Sequence, residues 1–447
     1  MTDGSTPEAA VHQPGQRTVG RNAVETVVFR LFTIPVGLAT VIVTTRYLLP
    51  SGRGAYVWAI LTASLMVTFV GNIGSAYANA FRAKRRGPDA LLRVALLLSL
   101  AVGVVAGVAL VPIEVALAPN GYPITFIVAI SVPALVVAQT VSGALLVLGR
   151  TRTWNVIQAL PPTVGLVALL VLLVGFGYGV TAALLGWCAA QVLAAGFAVV
   201  AVRGYLRPFR IPLGAWAEMR TMLAFALLIG IANLISLLNY RVEVLVLEAQ
   251  RGVRAVGIYS LSVSLAELTW LIPRALAPAV TPPVVTLSDR EAARATAKAA
   301  RHALVLTGVV AAALAVAAPL VVPVVFGPAF RSSITPLLIL VPGVVLFAPA
   351  SIIAIWFSLR LGMTRYPIAI SLFSVAVTFV AAIVLIPSEG ANGAALATTL
   401  GYGLSMVLGS VFFVHTAPVH FGDLVPGRAD LDEYRVLASS FWQALRR

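Results

Sequence analysis

Apolar runs of about 20 residues recur from one end of the chain to the other, each closed by charged residues or a Pro/Gly break. A helix of that length spans the ~30 Å hydrocarbon core of a bilayer. Reading runs against breaks predicts spans over 24–45, 55–76, 91–113, 123–148, 155–174 and 180–202. A second set follows over 221–247, 255–280, 303–325, 334–359, 367–387 and 393–414. The pattern therefore predicts an all-α integral membrane protein of about twelve transmembrane helices. Its expected parts are a cytoplasmic N-terminal tail (1–23), an N-lobe of spans 1–6 (24–202), a cytoplasmic linker (203–220), a C-lobe of spans 7–12 (221–414) and a cytoplasmic C-terminal tail (415–447). That last tail, with Asp430, Asp432, Glu433 and Phe441–Trp442, reads as a frayed terminus in preference to an amphipathic helix lying on the membrane.

Composition sharpens this reading. The 447 residues are 60% hydrophobic and 11% charged, against roughly 25% charged in soluble domains, so lipid must solvate much of the surface. Met1 to Gly20 is polar and lacks the apolar core and cleavage site of a signal peptide. The net charge of +15 sits in short clusters between apolar runs, which is membrane topology and not a nucleic-acid surface. Counting Lys and Arg by side gives 23 on the side of the termini (Arg82 to Arg93 the densest) and five opposite: Arg46, Arg53, Arg251, Arg254 and Arg331. That bias predicts both termini in the cytoplasm of a multi-pass protein of the bacterial inner membrane. The outside loops hold roughly ten residues or fewer, leaving no room for the external catalytic domain that membrane glycosyltransferases and polymerases carry. A single cysteine, Cys188, excludes an intramolecular disulfide, no phosphate-loop motif is present, and no histidine lies inside a span. Neither a metal site, a cofactor nor an enzyme activity is expected.

The chain also repeats itself. Gly54-Ala-Tyr56 recurs as Gly257-Ile-Tyr259, and Leu148-Gly-Arg-Thr-Arg152 as Leu361-Gly-Met-Thr-Arg365. Gly179 recurs as Gly393, each pair at the same topological position. The offset grows from 203 to 213, which places a net insertion in the loop from Pro283 to His302. Six spans per half imply two lobes related by a pseudo-two-fold along the membrane normal, an architecture that suits alternating access.

Few ionisable groups fall inside spans: Arg30, Arg241, Arg274, Glu243 and Glu267. Such residues are costly in lipid and usually face protein or water. Thr26, Arg30, Thr33, Gly37, Thr40 and Thr44 share one face of span 1, as do Asn233, Ser236, Tyr240 and Glu243 in span 7. Ser260, Ser264, Glu267, Leu271 and Arg274 line one face of span 8, and Ser64, Thr68, Gly71, Ser75 and Asn79 one face of span 2. These stripes predict a hydrated cleft. The competing expectations are that Thr33, Thr40 and Ser64 serve helix packing, that Arg30 snorkels to headgroups, and that Arg241 and Glu243 sit in the outer interface. Glu267, midway along its span, reads as a protonatable site or an arginine partner.

With these residues in place, the sequence resembles the multidrug/oligosaccharidyl-lipid/polysaccharide (MOP) exporter superfamily, on its polysaccharide or O-antigen-type flippase branch. The resemblance rests on Arg46-Tyr-Leu-Leu-Pro50 with Gly54-Ala-Tyr56, Val256-Gly-Ile-Tyr-Ser260 through Glu267-Leu-Thr-Trp-Leu-Ile-Pro273, Phe326-Gly327, and Ile386-Pro387 through Gly390-Ala-Asn-Gly-Ala-Ala395. It implies two six-helix MATE-like lobes, a cationic cavity and alternating access driven by an ion gradient (H+ or Na+) or the membrane potential. The implied substrate is a polyprenyl-pyrophosphate-linked oligosaccharide for cell-surface polysaccharide export. Implied partners are membrane lipids and, in the assembly pathway, glycan polymerase and glycosyltransferases. Substrate contacts are expected at Arg30, Arg274, Arg241, Thr33, Asn233 and Tyr240, with Glu267 and Glu243 as coupling or charge-partner residues. In that expectation Arg30 and Arg274 hold the pyrophosphate from the cytoplasmic side and Arg241 receives it outside. The alternatives are a cation-coupled multidrug exporter of the same fold, a lipid II flippase, a membrane glycosyltransferase or polymerase, and a non-transporting scaffold.

Overall fold

The computed structural model describes residues 16–83, 87–117, 125–206, 214–428, 430 and 434, and every regular element among them is helical. The helices are α1 (Gln16–Val70), α2 (Ile73–Arg82), α3 (Pro88–Leu117), α4 (Thr125–Val147), α5 (Thr151–Leu169), α6 (Val180–Ala201) and α7 (Ala215–Leu238). They continue as α8 (Val242–Leu268), α9 (Leu271–Thr286), α10 (Asp289–Val321), α11 (Ile334–Phe347), α12 (Ala350–Ile355), α13 (Arg365–Glu389) and α14 (Ala391–Thr416). Eleven helical segments are long and apolar enough to cross a membrane. The first, Glu25–Arg82, has 58 residues, or roughly 87 Å of helix, nearly three bilayer cores. It turns back at Leu49 (φ 57, ψ 177), so it makes two passes. Segment Val242–Thr286 breaks likewise at Gly252 (φ 72, ψ 176). Its first turns continue the pass begun by α7, which gives twelve passes.

The two breaks carry the repeat. They stand at the same 203-residue offset as the paired glycines and share one backbone conformation. A methyl group on Gly54 would meet the Val253 carbonyl oxygen at 1.6 Å, and one on Gly257 would meet the Pro50 oxygen at 1.8 Å. Pro50 and Val253 are themselves repeat equivalents, so the contact is reciprocal: each break lies against the glycine of the other motif. The second motif behaves alike, with Gly149 at φ 70 and Gly362 at φ 63.

The chain divides into two compact units, one of residues 1–48 and 55–234, the other of 49–54 and 235–447. Within the first, small residues bring helices together: Gly74 of α2 and Gly143 of α4 approach so closely that a Cβ on either would meet the other's backbone at 2.7–3.1 Å. Side-chain bonds also join its helices, among them Asn233 donating to Asn72 at 2.7 Å and Asn155 to Thr26 at 3.2 Å. The second has an apolar core in which Val284, Ala300, Ile352, Trp356, Phe357 and Phe413 are buried.

Three features differ from the sequence reading. The stretch Pro283–His302, expected as a loop, is largely helix, because Ser288 caps α10 and Glu291 closes the capping box while alanines at 292, 293, 297 and 300 are buried. The C-terminal tail is docked as far as it is described: Arg301 pairs with Asp430 at 3.0 Å and bonds the Asp423 carbonyl, and His302 packs edge-on against Tyr434. The Arg301 guanidinium holds the Asp430 carboxyl below the usual carboxylate range. Arg53, assigned to an outside loop, is helical and 3% exposed. The sequence features at 1–15, Lys84–Arg86, Arg207, Arg210, Asp432, Glu433, Arg435, Phe441–Trp442, Arg446 and Arg447 lie outside the described residues.

Candidate functional site

The passes at 221–247 and 255–280 are both interrupted, and the interruptions build the site. Between α7 and α8 the chain leaves the helix at Asn239–Arg241. The break removes the helical partner of the Tyr240 carbonyl, and the Arg241 guanidinium donates to it instead, at 2.8 Å. Between α8 and α9 it leaves again at Thr269–Trp270, and Pro273 occupies the first turn of α9, where its missing N–H costs nothing.

These two turns bring Arg241 to Glu267. Nη1 donates to Oε1 at 2.7 Å and Nη2 to Oε2 at 3.2 Å, a two-pronged pair. The side chains are 27% and 25% exposed. They open into a cavity of about 330 Å³ that is also lined by Tyr240, Trp270, Arg274, Phe347, Ser351, Ser371, Ser405 and Met406. Arg274 is exposed there, and its guanidinium has no hydrogen-bond or ion-pair partner among the described residues. With Arg241 and Glu267 paired, the charged groups on this wall sum to one positive charge.

Aromatic rings form the adjoining wall. Tyr240 meets Trp270 at 5.5 Å between centroids, Phe347 stacks on Tyr402 at 4.6 Å, and Trp270 touches both at 6.1 and 5.9 Å. The Trp270 indole is fixed by donating to the Val344 carbonyl at 3.2 Å. Behind these rings lies a void of about 10 Å³, bordered by Glu243, Tyr259 and Thr398. Glu243 is 1% exposed and takes a bond from the Tyr259 hydroxyl at 3.1 Å, while its Oε2 has no hydrogen-bond partner among the described residues.

Of the expected residues, Arg241, Arg274, Tyr240 and Glu267 thus meet round one cavity of the second unit, and Glu243 stands just behind it. Arg30, Thr33 and Asn233 belong to the first unit. Arg30 is exposed on α1. Thr33 donates to the Arg30 carbonyl at 2.8 Å, and Thr40 and Ser64 likewise bond their own helices. In span 8 the stripe expected to face water is split: Ser260 and Ser264 receive Arg53 at 3.1 and 3.4 Å, and only Glu267 and Arg274 reach the cavity. Sequence reasoning missed Trp270, Phe347 and Tyr402. Phe347 and Tyr402 sit in apolar runs and carry no local signal, whereas Trp270 lies in the interrupted segment beside Pro273.

Comparison with known proteins places the chain. Residues 19–287 match the family model described as polysaccharide biosynthesis protein, a range that includes Arg241, Glu267 and Arg274. No curated protein sequence matches it. Among solved structures, the lipid II flippase MurJ in an inward closed conformation superposes with a TM-score of 0.75 at 14% identity, covering 95% of this chain and all 100% of that one. An inward-facing multidrug resistance MATE transporter of the MOP superfamily gives 0.71 at 17% identity, over 88% and 98%. A MOP superfamily transporter from Pyrococcus furiosus, whose binding pocket is described as of reverse polarity, gives 0.60 at 16% identity, over 89% and 95%. The fold is that of MOP superfamily transporters.

Proposed function

Because the chain belongs to the polysaccharide biosynthesis protein family, we propose that it is a flippase carrying a polyprenyl-pyrophosphate-linked oligosaccharide from the inner to the outer leaflet by alternating access. The protein sits in the bacterial inner membrane with both termini in the cytoplasm. One observation carries the reading: the Arg274 guanidinium, with no hydrogen-bond or ion-pair partner among the described residues, opens into the same cavity as Arg241. Guanidinium groups bind phosphate oxygens in pairs, and a diphosphate is the anion a lipid-linked glycan presents where its two halves join. The rings of Tyr240, Trp270 and Phe347, which line the cavity, offer apolar faces to the sugar next to that diphosphate. Glu243, with one carboxylate oxygen unbonded among the described residues, is the group assigned to coupling by H+ or Na+. Arg30 keeps its expected role on sequence position and is tested by its own alanine variant.

The test is transbilayer movement of a polyprenyl-pyrophosphate-linked oligosaccharide in proteoliposomes holding the full chain. Arg274→Ala is expected to slow it at least about tenfold, the effect of losing one hydrogen-bonded charge pair, with thermal stability unchanged. Wild-type rates in that variant, or transport of cationic drugs and not of the glycolipid, overturn the proposal. Lipid II, run in parallel, separates a flippase for peptidoglycan precursor from one for surface polysaccharide.

A further inference from the structure

Glu267 holds both terminal nitrogens of Arg241 in the geometry that a phosphate would use. The carboxylate presents two oxygens to the two prongs, at 2.7 and 3.2 Å, and a phosphate presents two oxygens of similar separation to the same fork. We infer that Glu267 is an internal stand-in for the substrate's phosphate: it occupies Arg241 when the cavity is empty and yields it to an incoming diphosphate. The inference rests on the flippase reading for the identity of the anion and deepens it by naming what sets affinity at that site.

Three observations support the exchange. Both partners are about one-quarter exposed to the cavity, so an anion reaches the fork without unfolding anything. Arg241 has a second anchor, the Tyr240 carbonyl at 2.8 Å, which keeps the guanidinium in place when the carboxylate moves away. Arg274 enters the same cavity with no hydrogen-bond or ion-pair partner among the described residues, ready to take a further phosphate oxygen. The physical need is plain. Arg241, about three-quarters buried, is costly to leave without a partner, whereas two free arginines would hold a diphosphate too tightly for release. An internal carboxylate moderates both, since substrate must displace it and is displaced by it in turn. Glu267 is on this account a positioning and affinity-setting residue; the contacts with substrate are made by the arginines.

The experiment measures binding of inorganic pyrophosphate to the purified full chain in detergent, for wild type, Glu267→Gln, Glu267→Ala and Arg241→Ala/Glu267→Gln. Removing the competing carboxylate is expected to tighten binding about tenfold in each Glu267 variant. The double variant, lacking the fork, is expected to lose that gain. A merely structural role for Glu267 would lower thermal stability and leave binding unchanged or weaker, never tighter. Unchanged or weaker binding in a folded Glu267 variant overturns the inference. So does failure of both variants to fold, or absence of pyrophosphate binding in every form. The flippase reading is judged separately by glycolipid movement, so the two can fail independently.

Discussion

The helix breaks at Leu49 and Gly252 have the same backbone and opposite chemistry around them. Each turns at φ near +60 to +70 and ψ near 180 and packs against the other motif's glycine. Past the first break the chain runs through Arg53, Ser64 and Thr68; past the second it runs through Ser260, Ser264, Glu267 and Arg274. Arg53 is spent inside the protein, bonded to Ser260 and Ser264, whereas Glu267 and Arg274 open into the cavity. Duplication has therefore preserved the bend that shapes the fold, while the charged site is built on the second copy.

The comparison breaks most easily at the paired glycines. Gly54→Ala and Gly257→Ala each force a methyl within 2 Å of a backbone oxygen. Each is expected to cost about 3 kcal/mol, at the upper end of overpacking effects, in thermal unfolding of the detergent-solubilised protein. Gly37→Ala, with no atom within 4 Å, serves as the control and leaves the melting temperature near wild type. Equal tolerance at all three positions would show that the reciprocal contact does not form. A smaller effect sharpens the picture. The conformation at Leu49 is one that essentially only glycine adopts without strain, and its side chain is 56% exposed, so little packing is lost on removing it. Leu49→Gly is expected to stabilise by about 1 kcal/mol, the relieved strain less the added entropy of the unfolded chain. Destabilisation would place the leucine side chain in a role the repeat does not explain.

Much of this fold was legible. Twelve passes follow from apolar run length alone, and the matched Gly54 and Gly257 motifs lie where the repeat breaks. The interruption at Asn239–Arg241 was not, because apolar sequence flanks it and a hydropathy pattern does not register a single lost turn, whereas Pro273, Pro278 and Pro282 point to bending or unwinding in the span that breaks at Thr269–Trp270. Pro283–His302 was legible and misread: Ser288 followed by Glu291 is a capping signature that announces a helix start. Of the site, spacing along span 8 put Glu267 and Arg274 on one face. It did not reveal that Arg241 turns back to Glu267, nor that Arg53 fills the upper part of the same stripe. Those contacts join residues 26 and 207 positions apart, and a polar residue does not disclose its partner through its own neighbours.

The central claim is that the cavity of the second unit holds the substrate's head. It is tested most directly by placing a photoreactive side chain at Ser371, on the cavity wall, and at Val316, which is 84% exposed, in cells that make lipid-linked glycan. The account predicts a glycan-bearing adduct at position 371 that is lost when Arg274→Ala is added, and none at 316. Equal labelling at both positions, or no adduct at 371 while glycan export proceeds, would contradict it.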